Sequence, residues 1–137
     1  MRTYEQDYAG WAQDTAKAIE EGRWAEIDRA ALADEVLDVS KSDRRAIVGM
    51  FEVLLVHLLK RRYQPDRETR SWEYSIAVQR LHLAERFEES PSLRAQATAL
   101  LRTAYKAARL EAANDTGLDV TTFPETCEWM IDEVLGS

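Results

Sequence analysis

At 137 residues, 45% hydrophobic and 31% charged with only five glycines and three prolines, the chain suits one folded domain that buries about two-thirds of the surface its unfolded form exposes. This composition excludes a disordered or fibrous polymer. An excess of 25 acidic over 18 basic side chains gives a net charge of −7, which repels polyanions at long range and opposes non-specific nucleic-acid binding.

Tyr4, Tyr8, Trp11, Thr15 and Ile19 recur at spacings of three and four and so share one face of a first helix. Gly22 stops it, because glycine tolerates the left-handed conformation just past a helix end. Asp28 is the N-cap of a second helix whose apolar stripe is Leu32, Val36 and Val39. That helix is expected to fade at Ser40, Lys41 and Ser42, where polar side chains compete for backbone hydrogen bonds. A third helix, about Asp43 to Tyr63, is apolar around most of its circumference, from Ile47 and Phe51 to Leu58 and Leu59, and is expected to be the central buried element. Pro65 holds Gln64 extended and ends it. Ser71 is expected to cap a fourth helix carrying Trp72, Ile76, Leu83 and Phe87. Ser90 and Pro91 open an alanine-rich fifth helix that runs to Ala113, with room for a break near its start. Asn114 to Gly117 stops it, Phe123 and Pro124 make a turn, and Glu128 to Leu135 forms a last short helix. No stretch alternates with the period of two that a half-buried strand requires. The expected fold is all-α: a single helical domain over residues 1–137, a bundle of five to seven helices.

Cys127 is the only cysteine, so the chain has neither an internal disulfide nor a set of thiolates for zinc. MRTYEQDYAGW carries acidic residues where an export signal needs an apolar core, and the longest apolar run, Ile47 to Leu59, is too short to span a membrane. The expectation is a cytoplasmic protein with no membrane association.

The segments AALADEVLDVSKSDRRA, EVLLVHLLKRRYQPDRETRSW, AVQR, ESPSLR and TFPETCEW, in this order and spacing, resemble the uncharacterised bacterial family, mainly cyanobacterial and proteobacterial, catalogued as domain of unknown function 29. HLLK followed by YQP and RSW carries most of the likeness, which covers nearly the whole chain. The sequence departs from the family pattern at Glu128, where proline usually follows the cysteine, and near Asp34, where glutamates are more usual. The resemblance implies a helical single domain and no particular activity.

The candidate site lies where the most apolar segment meets the most basic one, HLLKRRYQPDRETRSW. Basic residues at a helix C-terminus are favoured by its dipole and free carbonyls alone, yet guanidinium groups also suit phosphate and carboxylate ligands, and Tyr63 and Trp72 offer rings to stack on. Glu35 falls within the stripe of the second helix, where a carboxylate needs a partner; Arg61, Arg70 and Arg80 are the candidates. The proposed polar cluster is therefore Glu35, His57, Arg61, Tyr63, Arg70, Trp72 and Arg80. No HxxxH or ExxH pair supports a metal site, no motif resembles a nucleophile elbow or a phosphate-cradling loop, and no cofactor is implied. Trp24 falls outside every stripe and is expected on the surface, where tryptophan suits an interface. The favoured reading is a small module that binds another protein or a second copy of itself. The competing reading is a binder of, or enzyme acting on, a small anionic or phosphorylated ligand at the polar cluster; nucleic-acid binding through the basic turn is disfavoured by net charge.

Overall fold

The computed structural model describes all residues, 1–137, and the chain is all-α. Six helices follow in order: α1 Tyr8–Glu20, α2 Arg29–Tyr63, α3 Arg70–Glu89, α4 Pro91–Arg94, α5 Ala97–Thr116 and α6 Ile131–Leu135, with single 3-10 turns at Trp24–Glu26, Pro65–Arg67 and Val120–Thr122. The residues cluster in two compact units, Met1–Ser42 and Asp43–Ser137.

In the N-terminal unit Asp7 caps α1 by accepting from the Gly10 N–H at 2.9 Å. Arg2 folds back to chelate Asp14, with its Nε and Nη2 at 3.1 and 3.0 Å from the two carboxylate oxygens. The same Arg2 and Asp7 side chains lie where a Cβ on Gly10 would stand, so a larger residue there has to push them aside. Gly22, at φ 71°, reverses the chain after α1, and its neighbour Arg23 donates its N–H back to the Ala18 carbonyl at 2.8 Å, closing off the helix end. Asp28 starts α2 as expected, accepting from the Ala31 N–H at 3.1 Å. Trp11, Ala18 and Ala31 are the buried hydrophobic residues of this unit, with Tyr4 edge-on to Trp11 at 4.8 Å.

The second and third expected helices are one. Ser40, Lys41 and Ser42 continue α2 without a break, because serine costs a helix only a few tenths of a kcal/mol relative to better formers whereas glycine or proline is needed to stop it. Asp38 and Lys41, one turn apart at 3.9 Å, bridge the polar stretch. Pro65 does end the helix at Tyr63. The fourth expected helix begins two residues earlier than predicted and is capped by Thr69, not Ser71: the Thr69 hydroxyl accepts from the Trp72 N–H. The alanine-rich helix is broken near its start into α4 and α5, and α6 begins at Ile131 rather than Glu128.

The C-terminal unit is organised on α2 and α5. Ile47, Phe51, Leu54, Leu55 and Leu59 are fully buried. They meet the face of α5 formed by Ala97, Leu101, Ala104, Tyr105, Ala108 and Ala112, all buried in one cluster with Ile76, Leu83 and Phe87 of α3. Gly117, at φ 74°, closes α5. The segment after it is strapped to α5 by two bonds to main-chain carbonyls: Tyr105 Oη donates to Pro124 O at 2.6 Å and Arg109 Nε to Phe123 O at 3.0 Å. Phe123 is itself buried, with Tyr63 edge-on to its ring at 5.1 Å.

Two expectations follow. Ser42→Pro destabilises the chain by about 3 kcal/mol in denaturant titration, the cost of proline inside a helix, and Ser42→Ala leaves stability within about 0.5 kcal/mol; a tolerated proline would mean that the helix breaks there. Burial, and then the neighbouring Cys127, hold the Tyr105 phenol up at about 12 from an ordinary value of 10.0. A proton held more tightly by the folded chain contributes stability in full below pH 10.0, and that contribution is lost as pH rises to about 12. Across that window wild type accordingly loses more stability than Tyr105→Phe, as read by urea titration at stepped pH.

Candidate functional site

The basic end of α2 is half occupied by its own surroundings. Lys60 Nζ stands 3.7 Å from Asp115 and 4.8 Å over the Trp72 ring, so Trp72 is already engaged by a cation of the fold. Arg61 Nε lies 3.7 Å from Glu68, and Arg62 Nε 3.9 Å from Glu128; both are ion pairs at a separation too long for a good hydrogen bond. Tyr63 Oη reaches the same Glu128 at 3.4 Å. His57 Nδ1 turns back on its own helix, 2.7 Å from Val53 O. Arg70 is the exposed first residue of α3.

Arg80 behaves differently. Its Nε donates to Val134 O at 2.9 Å and its Nη2 to Glu133 O at 3.3 Å, which satisfies the free carbonyls at the end of α6. Gly136, at φ 79°, ends that helix, and a Cβ there would come within 3.0 Å of the Arg80 guanidinium carbon. The guanidinium has no carboxylate within ion-pair distance. Burial presses its pKa down, and the positive charge of Arg61 presses it further.

Arg61 and Arg80, from α2 and α3, converge on one pocket of about 480 Å³, whose walls also include Leu58, Arg62, Pro65, Trp129 and Glu133. His57, Tyr63, Arg70 and Trp72 do not line it. Sequence reasoning missed Arg62, Trp129 and Glu133; the last two come from a segment more than forty residues downstream of Arg80, and no local spacing announces that α6 folds back on α3.

Glu35 belongs to the N-terminal unit, whereas Arg61, Arg70 and Arg80 belong to the other. Arg61 also follows it on the same unbroken α2, and a helix brings together only residues three or four apart. The carboxylate instead accepts from two phenols of its own unit, Tyr4 Oη at 3.2 Å and Tyr8 Oη. The first aromatic stripe thus supplies the partner that a half-buried carboxylate requires. The bond to Glu35, and then burial, raise the Tyr8 pKa; burial, and then Glu35, raise that of Tyr4.

A second cleft of about 660 Å³ lies between α5 and the following segment, lined by Leu101, Tyr105, Cys127, Trp129 and others. Cys127 Sγ lies 3.6 Å from Trp129 O, and burial pushes the thiol pKa up, away from the thiolate a nucleophile needs. No group of three or more His, Cys, Asp or Glu side chains converges as metal ligands would, and no helix is long and apolar enough to cross a membrane.

Two phenols on one carboxylate make a measurable signature. Glu35→Gln, which keeps the shape and removes the charge, moves the Tyr8 titration down toward the ordinary tyrosine value in pH-dependent NMR; an unmoved Tyr8 would mean that phenol and carboxylate are apart.

The family model described as domain of unknown function DUF29 matches residues 3–137, nearly the whole chain. No curated protein and no solved structure matches it.

Proposed function

The chain belongs to that family, and we propose that it works as a protein-interaction module that pairs with a second copy of itself through the N-terminal unit. One observation carries this reading: Trp24, Val36, Leu37 and Val39 are 64, 63, 58 and 61% exposed within a unit of 42 residues. Trp24 belongs to a larger apolar surface. An apolar groove of about 560 Å³, lined by Ile19, Trp24, Ala25, Ile27, Arg29 and Leu32, occupies one side of the unit. Leu32 continues into the helical stripe of Val36 and Val39, one turn apart each. A patch of this kind on a small chain marks an association surface.

The sequence places Val36 and Val39 on the apolar stripe, where burial is the expectation. Their exposure is the physical argument for a partner: roughly 40 residues cannot usually bury a sufficient core alone, and association is one of the common remedies. A second copy needs no further assumption, because a twofold interface is self-complementary and uses the same patch twice. Tryptophan at its centre suits an energetic anchor.

A second reading, a binder of a small anionic ligand or an enzyme acting on one, is favoured by a different observation. Arg61, Arg62 and Arg80 line a single pocket against one carboxylate, Glu133, in a chain of net charge −7.

The pairing is tested by light scattering coupled to size exclusion. Wild type is expected to run as a dimer at about 100 µM, and Trp24→Ser combined with Val36→Asp to weaken the dimer at least about tenfold with unchanged helical circular dichroism. A wild-type monomer at that concentration, or a variant that dimerises equally well, overturns the reading.

A further inference from the structure

We infer that the pocket at the C-terminal end of α2 takes a small organic anion in which a phosphate or carboxylate group is joined to a flat apolar ring. The inference rests on the second reading above and narrows it to a ligand class; it involves the C-terminal unit alone, so it stands independently of self-association.

The charge argument comes first. Three guanidinium groups and one carboxylate line the pocket, and the carboxylate is committed elsewhere: Glu133 Oε1 accepts from the Met130 N–H at 3.0 Å, capping α6. Arg61 and Arg62 have carboxylates only at 3.7 and 3.9 Å, which leaves their hydrogen-bond donors largely free. Arg80 spends two bonds on the carbonyls of Val134 and Glu133, so about three of the five donors of a guanidinium remain. It is partly buried beside another cation and lacks a counter-ion, an arrangement that an oxyanion relieves with charge-assisted, forked hydrogen bonds.

Shape then narrows the class. A pocket of about 480 Å³ falls in the range of small-molecule sites and far exceeds what a bare phosphate fills. The remaining lining residues are Leu58, Pro65 and Trp129, apolar side chains that include an indole. A flat ring buries apolar area against these residues and stacks on the indole or on a guanidinium plane. Neither an ion alone nor a neutral ring uses both halves of the lining.

The test follows the indole N–H of Trp129 by NMR in the full chain, labelled at its four tryptophans and assigned with Trp129→Phe. The probes are phenyl phosphate, inorganic phosphate and benzyl alcohol. Phenyl phosphate is expected to shift the Trp129 signal saturably below about 10 mM, and inorganic phosphate to bind at least about tenfold more weakly. Benzyl alcohol gives no saturation. Arg61→Met with Arg62→Met weakens phenyl phosphate at least about tenfold at an unchanged melting temperature. Glu133→Gln, which keeps the capping oxygen and removes the opposing charge, tightens it a few-fold. Equal affinity for phenyl phosphate and inorganic phosphate overturns the ring-bearing class while leaving an anion pocket. If neither saturates, or if the double variant binds phenyl phosphate as wild type does, the pocket reading falls as well.

Discussion

The C-terminal unit depends on one seam, the line of Ile47, Phe51, Leu54, Leu55 and Leu59 on α2 pressed against the small residues of α5. Each of these large side chains contributes on the order of 2 kcal/mol by leaving water, and Ala97, Ala104, Ala108 and Ala112 of α5 are fully buried in the same cluster. A larger residue at any of the four would have to displace the neighbours packed around it. The seam also decides where the polar groups go. With the apolar side of α2 taken, Lys60, Arg61 and Arg62 emerge together at its end, among α3 and the segment that leads into α6.

Within this frame the two surfaces proposed as functional have different origins. The apolar face of the N-terminal unit exists because α1 and the start of α2 carry more large hydrophobic side chains than so short a segment can enclose. The basic pocket exists because a helix C-terminus accumulates positive charge for reasons of its own dipole, and two further elements happen to close around it. The exposed side chains of these surfaces do little to hold the fold together, whereas Arg80 fastens α6 and Leu58 belongs to the core. Trp24, Val36 and Val39 pack little, and Arg61 and Arg62 make only long ion pairs.

Element type was legible where a residue dictates backbone geometry. Gly22 and Gly117 adopt the left-handed conformation that ends a helix, Pro65 stops α2, and the apolar character around most of the helix from Ile47 to Leu59 marked it as the buried element. Where the signal was only a preference it misled. Ser40, Lys41 and Ser42 favour caps and turns, yet a strongly helical context on both sides overrides a few tenths of a kcal/mol. The candidate cluster was legible in part for the same reason. Arg61 and Arg80 meet because α2 and α3 are sequential neighbours, which spacing around a turn can suggest. Trp129 and Glu133 join them only through tertiary folding of the chain's last segment. Glu35 was correctly seen to need a partner, but phenols serve a carboxylate as arginines do, and Tyr4 and Tyr8 stood earlier in the chain as apparent core residues.

The final segment is held in a way that bears on how its sequence can change. Arg80 grips the carbonyls of Glu133 and Val134, Tyr105 that of Pro124, and Arg109 that of Phe123. Every residue type offers the same carbonyl, so the straps are blind to the side chains they fasten. Phe123 and Val134 fill the interior, Cys127, Trp129, Ile131 and Leu135 pack against it, and Gly136 stands too close to Arg80 to take a side chain; the exposed remainder of the stretch is free to diversify its outward chemistry while the gripping residues on α3 and α5 are not. The exposed positions that line the cleft beside α5, Glu125, Thr126 and Met130, can therefore be recoloured by substitution without being re-engineered, leaving the scaffold intact while the lining of that cleft changes.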